Sequence, residues 1–377
     1  MTHKVHKFVS SVAVSSALCM GLLAPLQVNA QETQGNVEEI ATAVDKASAG
    51  QPGSDNEVAS TKSGSDFEAK LGSATVKIPQ NPTGGVAVSR SSSNINSSFT
   101  VGISDGKLQA GQLAADGSVV YSGDNVAKTV QATQEGVRIS TVIKSAEAAT
   151  EYVHQLKLPD GAKAMRLSEY QLSAEDVQNA KAAADAVSKG SQGAATNTNT
   201  NAGADPIIIV DKESKLLGIF AEAWAKDANG KEISTSYEIR DGALVQKVDH
   251  KQQGVQYPVV ADPYFGPDLT KSAEWKNTED GWTLYVTPTY WARSEAWNTI
   301  LAPDYTYQLG LFGWSEIREK YGNVGRGIKT NRVGMRNQWV CHQQFVGIAD
   351  REKETWNLDE WRPEVSYGAT VRARCNP

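Results

Sequence analysis

The chain has 377 residues, is 40% hydrophobic and 21% charged, and carries a formal net charge of −6. That acidic balance argues against a general nucleic-acid binder. Beyond the first thirty residues, no stretch reaches the ~18 consecutive apolar residues of a membrane span.

Residues 1–30 read as a secretory signal peptide. Lys4 and Lys7 form a basic start, an apolar and small-residue stretch runs over 8–26, and Val28-Asn29-Ala30 is a small-x-small cleavage signal before Gln31. Serines interrupt the apolar run, which disfavours a retained anchor. Leu18 stands where a lipoprotein needs Gly or Ala before Cys19. The expected location is therefore secreted or extracellular, with possible cell-wall association, and with no transmembrane segment after cleavage. Residues 31–70 are acidic, polar and Gly/Ser/Ala-rich, with Phe67 as the one aromatic, and read as a flexible linker with one possible helix over 37–47.

Residues 71–263 read as a β-rich, sandwich-like domain. Short β-prone runs at 74–78, 99–103, 118–121, 137–143, 152–158, 165–170, 207–210 and 216–223 are separated by turn residues. Asp241-Gly242 between 234–240 and 243–248 is a hairpin signal, because Asp-Gly supplies the positive φ angles of a two-residue turn. Two features interrupt the strands. Residues 174–189 have Val177, Ala180, Ala184 and Val187 at helical spacing. Residues 190–205 are low-complexity and read as a mobile loop. Together they suggest a surface excursion.

Pro258, Pro263 and Pro267 stiffen a junction, and a domain boundary is placed near 263–269. Beyond it, residues 264–377 hold eight of the nine tryptophans and both cysteines that remain once the leader is removed. This region reads as a small α+β domain able to fold alone. A strand is expected over 281–287 and a helix over 289–301 capped by Thr289. Trp314, Ile317 and Tyr321 mark a second helix, and 335–346 a third. Cys341 and Cys375 are expected to join in an oxidising compartment, which the chain-entropy model values at roughly 3–4 kcal/mol. Two free thiols are the alternative. A zinc site lacks the paired C-x-x-C spacing, so no metal and no cofactor are expected. The tryptophans are read as core before they are read as a sugar-stacking face.

Three groups of residues are distinctive. They are Asn337-Gln338-Trp339-Val340-Cys341-His342, then Trp356-Asn357-Leu358-Asp359-Glu360-Trp361-Arg362-Pro363, then Cys375-Asn376-Pro377. In combination they resemble a domain of unknown function at the C-terminus of secreted actinobacterial proteins, over roughly 270–377. The stretch from Trp224 to Pro263 resembles a β-rich module that precedes varied C-terminal domains in such proteins. The resemblance implies no activity and no catalytic residues.

On residue chemistry, the catalytic candidates are His342, Glu360 and Arg362. Asn337, Asp359 and Arg336 are candidate ligand contacts. A histidine, a carboxylate and an arginine supply a base, an orienting group and an anion stabiliser. The competing reading is a structural histidine beside the disulfide, with Arg362 paired to Asp359 or Glu360 and stacked on Trp361. His154 and His250 are isolated, and His250 is expected at the surface. A basic run of Arg318, Lys320, Arg326, Lys329, Arg332 and Arg336 reads as a solvated face or a site for an anionic partner. G-x-S-x-G, Walker and H-E-x-x-H motifs are absent. Two functions follow as expectations. The first is a non-enzymatic binding protein whose partner is an anionic cell-wall component or another protein. The alternative is a secreted effector using His342, the one case in which nucleic acid is a target.

Overall fold

The computed structural model describes residues 24–54, 56–71, 74–92, 95–103, 107–190, 205–266, 268–296, 303–350 and 352–377. The leader expected over 1–30 lies mostly outside them, as do 191–204 of the expected loop and Trp297.

The N-terminal part is mainly β, and every strand pair among the described residues is antiparallel. One sheet runs in the order 163–166, 207–210, 216–220, 264–266, 137–143, 126–133, 119–121, 112–113. The second runs 235–240, 243–248, 151–157, 95–102, 85–92, 74–78, 66–71, 61–63. Their facing sides share one core: Val76, Val88 and Val101 from the second sheet meet Val130, Ile139 and Phe265 from the first. This is the sandwich that the strand spacing predicts. The Asp241-Gly242 turn has φ of 52° and 75° and joins strands Thr235–Arg240 and Ala243–Val248 in register.

Residues 31–70 are not a linker. Helix α1 (Ala24–Ser48) and three strands up to Leu71 occupy them. Val37, Ile40, Ala41, Val44 and Ala47 form a buried stripe on Ala114, Val120, Ala127, Val142 and Val260 of the first sheet. Small apolar residues at i, i+3, i+4 and i+7 suffice for docking, although the segment's mean composition is polar. Glu38 also accepts a bond from the backbone N–H of Ala115, at 3.2 Å.

Helix α2 (Ala174–Gly190) forms as the spacing predicts, but it is not a surface excursion. It packs on the C-terminal domain, where Ala180 is fully buried among C-terminal residues. Asp176 of α2 accepts bonds from Tyr307 and Arg336.

The C-terminal part is a small α+β unit. Strands Thr270–Asn277, Trp282–Pro288 and Trp356–Asp359 make a sheet. Helices α3 (Tyr290–Glu295), α4 (Pro303–Tyr321), α5 (Arg332–Ala349) and α6 (Tyr367–Arg372) accompany it. Thr289 caps α3, its Oγ1 accepting from Ala292 N at 3.2 Å. The predicted continuation of this helix to 301 falls outside the described residues after Ala296. Gly310 and Gly313 let α4 approach α5: a Cβ at Gly313 would lie 2.6 Å from Trp339 Nε1.

The two parts are joined more tightly than the composition break suggests. Strand Tyr264–Gly266 still pairs within the first large sheet. Ile208, Val210, Leu216 and Ile219 share a core with Trp291, Tyr305, Leu309 and Phe312. A largely buried ionic chain crosses the junction: Arg90–Asp268 3.0 Å, Asp268–Lys320 3.0 Å and Lys320–Glu316 2.8 Å. Glu316 also accepts from the backbone N–H groups of Leu269 and Thr270 at 2.7 and 2.8 Å.

Candidate functional site

Helix α5 carries Arg336, Asn337, Cys341 and His342, while the strand Trp356–Asp359 and the turn after it carry Asp359, Glu360 and Arg362. The two segments are tied by Gln338. Its Nε2 donates to Asp359 O at 3.1 Å and its Oε1 accepts from Asp359 N at 2.8 Å. The fully buried amide thus pairs with the strand much as a neighbouring strand would. The disulfide Cys341–Cys375, with its Cα atoms 5.4 Å apart, fastens the same helix to the end of the domain.

His342 lies inside this frame. It is 3% exposed, and its ring stacks on Trp356 at 6.2 Å and 13°. Trp356 in turn packs on Trp339 at 4.9 Å. Nδ1–H donates to Gln338 O at 2.8 Å, which leaves Nε2 to accept from Lys353 Nζ at 3.4 Å. Burial, then the Lys353 charge, pushes the imidazole down to about 4, against the Gln338 carbonyl and the Asp359 carboxylate. At neutral pH the ring is uncharged, and both nitrogens are engaged.

The other candidates divide between different partners. Asp359 Oδ2 accepts from Arg362 Nε at 2.6 Å and Oδ1 from Thr283 at 2.7 Å. Arg362 also donates to the Pro377 carbonyl at 3.0 Å and lies 4.4 Å from the Trp361 ring centre. His342, Gln338, Asp359 and Arg362 therefore form one continuous bonded line. Glu360 turns away from it, accepting from Arg326 at 2.6 Å and Thr330 at 2.6 Å. Asn337 donates to Val365 O at 2.9 Å, and Arg336 leaves for Asp176.

Of the basic run, Lys320 is in the junction network, Arg336 is paired with Asp176 and Arg326 with Glu360. Arg326 also lies over the rings of Trp275 and Trp282, at 5.9 and 4.9 Å. Arg318, Lys329 and Arg332 are exposed. Sequence reasoning missed Gln338, Lys353 and Asp176. The first sits in a motif already singled out, but nothing local marks the other two as partners of His342 and Arg336.

The isolated histidines are both buried. His250 is not at the surface. It is 0% exposed and engages Tyr257 Oη at 3.0 Å and Ala149 O at 2.9 Å, because the strand end that carries it folds under the loop at 149. Among the described residues no three His, Cys, Asp or Glu side chains gather as a metal site, and no helix is long and apolar enough to cross a membrane.

Residues 270–377 match the family described as "Protein of unknown function (DUF2599)". The match covers the disulfide, α5 and the strand bearing Asp359. Similar chains include an uncharacterized protein of Mycobacterium bovis and uncharacterized proteins of two Mycobacterium tuberculosis strains. Each is 27% identical over 115 residues, which is 30% of this chain and 70% of the relative. No solved structure matches the chain. The C-terminal part thus carries a domain of unknown function, and its relatives assign it no role.

Proposed function

We propose that this chain is an exported, non-enzymatic binding protein that works outside the membrane or at the cell wall. The observation that carries the reading is the state of His342. A general base must reach its substrate within hydrogen-bond distance, or through one water. His342 is buried and neutral, with one nitrogen on a backbone carbonyl and the other on Lys353. Asp359, Glu360 and Arg362 are likewise spent on internal bonds, and this supports structural roles for the motif residues. The effector alternative, with nucleic acid as its target, has no comparable observation in its favour.

The basic leader and its cleavage signal support export, and the disulfide fits an oxidising compartment. The partner proposed is a cell-wall component or another protein. An anionic polymer would meet Arg318, Lys329 and Arg332, a smaller cationic surface than the linear run suggests.

The test is expression of the full chain with its own leader, followed by mass spectrometry of medium, envelope and cytoplasm. Export predicts a mature chain beginning at Gln31 with no free thiol, retained by purified wall material or by an envelope protein. Cytoplasmic retention with an intact leader would refute export. Toxicity of the leaderless chain that His342→Gln abolishes without loss of folding would replace binding by catalysis.

A further inference from the structure

Helix α2 reaches the C-terminal domain from the β-rich part of the chain, and its grip there is narrow. Glu175, Val177, Gln178, Lys181 and Ala182 are exposed. Among the described side chains of α2 only Ala180 is buried, with Asp176 and Asn179 half-buried. These three fall at i, i+3 and i+4, a single short stripe. A helix held by its own apolar face buries a wide stripe along its length, as α1 does. Helix α2 is held instead by one small apolar residue and one carboxylate.

The surface that receives it has the opposite character. Helix α2 lies over α4 and α6, and Ala180 shares a core with Tyr307 of α4 and Tyr367 of α6. These tyrosines are 1% and 3% exposed, and their rings meet edge to face with centres 5.2 Å apart. Tyr307 Oη donates to Asp176 Oδ1 at 2.9 Å, and Arg336 Nη2 of α5 donates to the same oxygen. Asp176 Oδ2 accepts from Ser173 Oγ at 2.7 Å, and Ser173 Oγ accepts from the Asp176 N–H at 3.1 Å. The first turn of α2 thus presents the carboxylate to an arginine and a tyrosine. Tyrosine and arginine are the side chains that dominate protein interfaces, whereas alanine and aspartate are depleted there. A surface of interface type is filled by a minimal occupant.

We propose that this surface is a helix-binding groove of the C-terminal domain, filled in cis by α2. A partner protein enters it with a helix that carries a carboxylate where α2 has Asp176. Exchange replaces one carboxylate by another on Arg336 and Tyr307. It gives up only the small area under Ala180, and larger apolar side chains of the partner gain more on the two rings. The receiving residues all lie within 270–377, and α2 lies outside that range. The inference rests on the binding reading and names a protein as the partner. Its test uses the purified chain, so failure of export is a separate result.

The probe is a labelled peptide with the sequence of residues 171–190, titrated by fluorescence anisotropy. The receiver is the full chain carrying Asp176→Arg, in which like charges at Arg336 release α2. Saturable binding is expected, about tenfold weaker for a peptide with asparagine in place of Asp176, the loss of one charge-assisted contact. Adding Arg336→Gln to the receiver should remove that preference. In the parent chain α2 competes: an open population of about 1% weakens peptide binding about a hundredfold. The same population limits the hydrogen-exchange protection of α2 to about a hundredfold, far below that of α5. Should Asp176→Arg fail to fold, exchange of the parent chain decides alone. Protection of α2 equal to that of α5, no saturable binding to the released chain at about 1 mM peptide, or equal binding of the two peptides would overturn the proposal. A parent dimer in sedimentation, with α2 exchanged between copies, would assign the groove to a second copy and overturn the partner named.

Discussion

Acidification should loosen the C-terminal domain through His342. The imidazole has an ordinary pKa near 6.5 and is pushed down to about 4 in the fold. Between those values the unfolded chain binds the proton more readily than the native one. The native state is therefore fully favoured above about pH 6.5 and loses stability as pH falls toward about 4. The gap between those two values corresponds to roughly 3 kcal/mol in full, of which about 2 kcal/mol is already lost by pH 5. Urea unfolding at pH 7.5 and pH 5, followed by tryptophan fluorescence, reads this region, since eight of nine tryptophans lie within 275–361. His342→Gln keeps a polar group there but cannot gain the proton, so its stability should fall less over that interval, by about 2 kcal/mol. Asp262, buried and pushed up to about 7, acts in the opposite sense, so the variant and the parent must be compared at each pH. Identical pH slopes for the two would show that His342 is not held neutral by burial, and would reopen a catalytic role for it.

Three further perturbations test the packing. Gly313→Ala puts a Cβ 2.6 Å from Trp339 Nε1 and should destabilise the protein by about 1–3 kcal/mol in urea titrations, while Gly310→Ala, whose Cβ meets Val340 at 3.0 Å, should cost less. Replacing Cys341 and Cys375 together by serine opens a loop with a sequence separation of 34 and should lower stability by about 3–4 kcal/mol, seen as a lower denaturation midpoint. Val44→Asp buries a charge under α1, where Val44 is 2% exposed, and should release the helix, raising hydrogen exchange over 34–48. A helix that stays protected in that variant would contradict the docking described.

The sequence was most readable where a pattern repeats at short range. Strand spacing revealed the sheets, the Asp-Gly turn its hairpin, and Thr289 its cap. The even cysteine pair and the tryptophan cluster identified the C-terminal core, where Trp339 and Trp356 are fully buried. Composition misled over 31–70, because docking of α1 needs only five small apolar residues in an otherwise polar helix. The basic run misled for a different reason. Spacing in sequence reveals which cations are near one another, but not which carboxylates the fold will deliver to them. Asp176 lies 160 residues from Arg336, and Glu360 lies 34 from Arg326. The same limit applies to His342: its motif neighbours are legible, whereas its burial depends on Lys353 and Trp356 arriving from the following loop and strand.

The composition break near residue 263 suggests an independent C-terminal domain, and the packing predicts otherwise. Isolated 264–377 would expose Trp291, Tyr305, Leu309 and Phe312, all under 8% exposed in the full chain, and would lose α2 with Ala180 and Asp176. Each large apolar side chain is worth about 1.5–3 kcal/mol when fully buried, and four of them together rival the 5–15 kcal/mol that holds a typical domain folded. Oxidised 264–377 should therefore show dispersed helical signal but weak near-ultraviolet ellipticity, dye binding and self-association. A longer fragment beginning before α2, with the 207–220 hairpin present, should recover sharp tertiary signals, because it restores both covering surfaces. Cooperative unfolding of 264–377 at the denaturant midpoint of the full chain would mean that the shared core contributes little and that the boundary read from composition is also an energetic one.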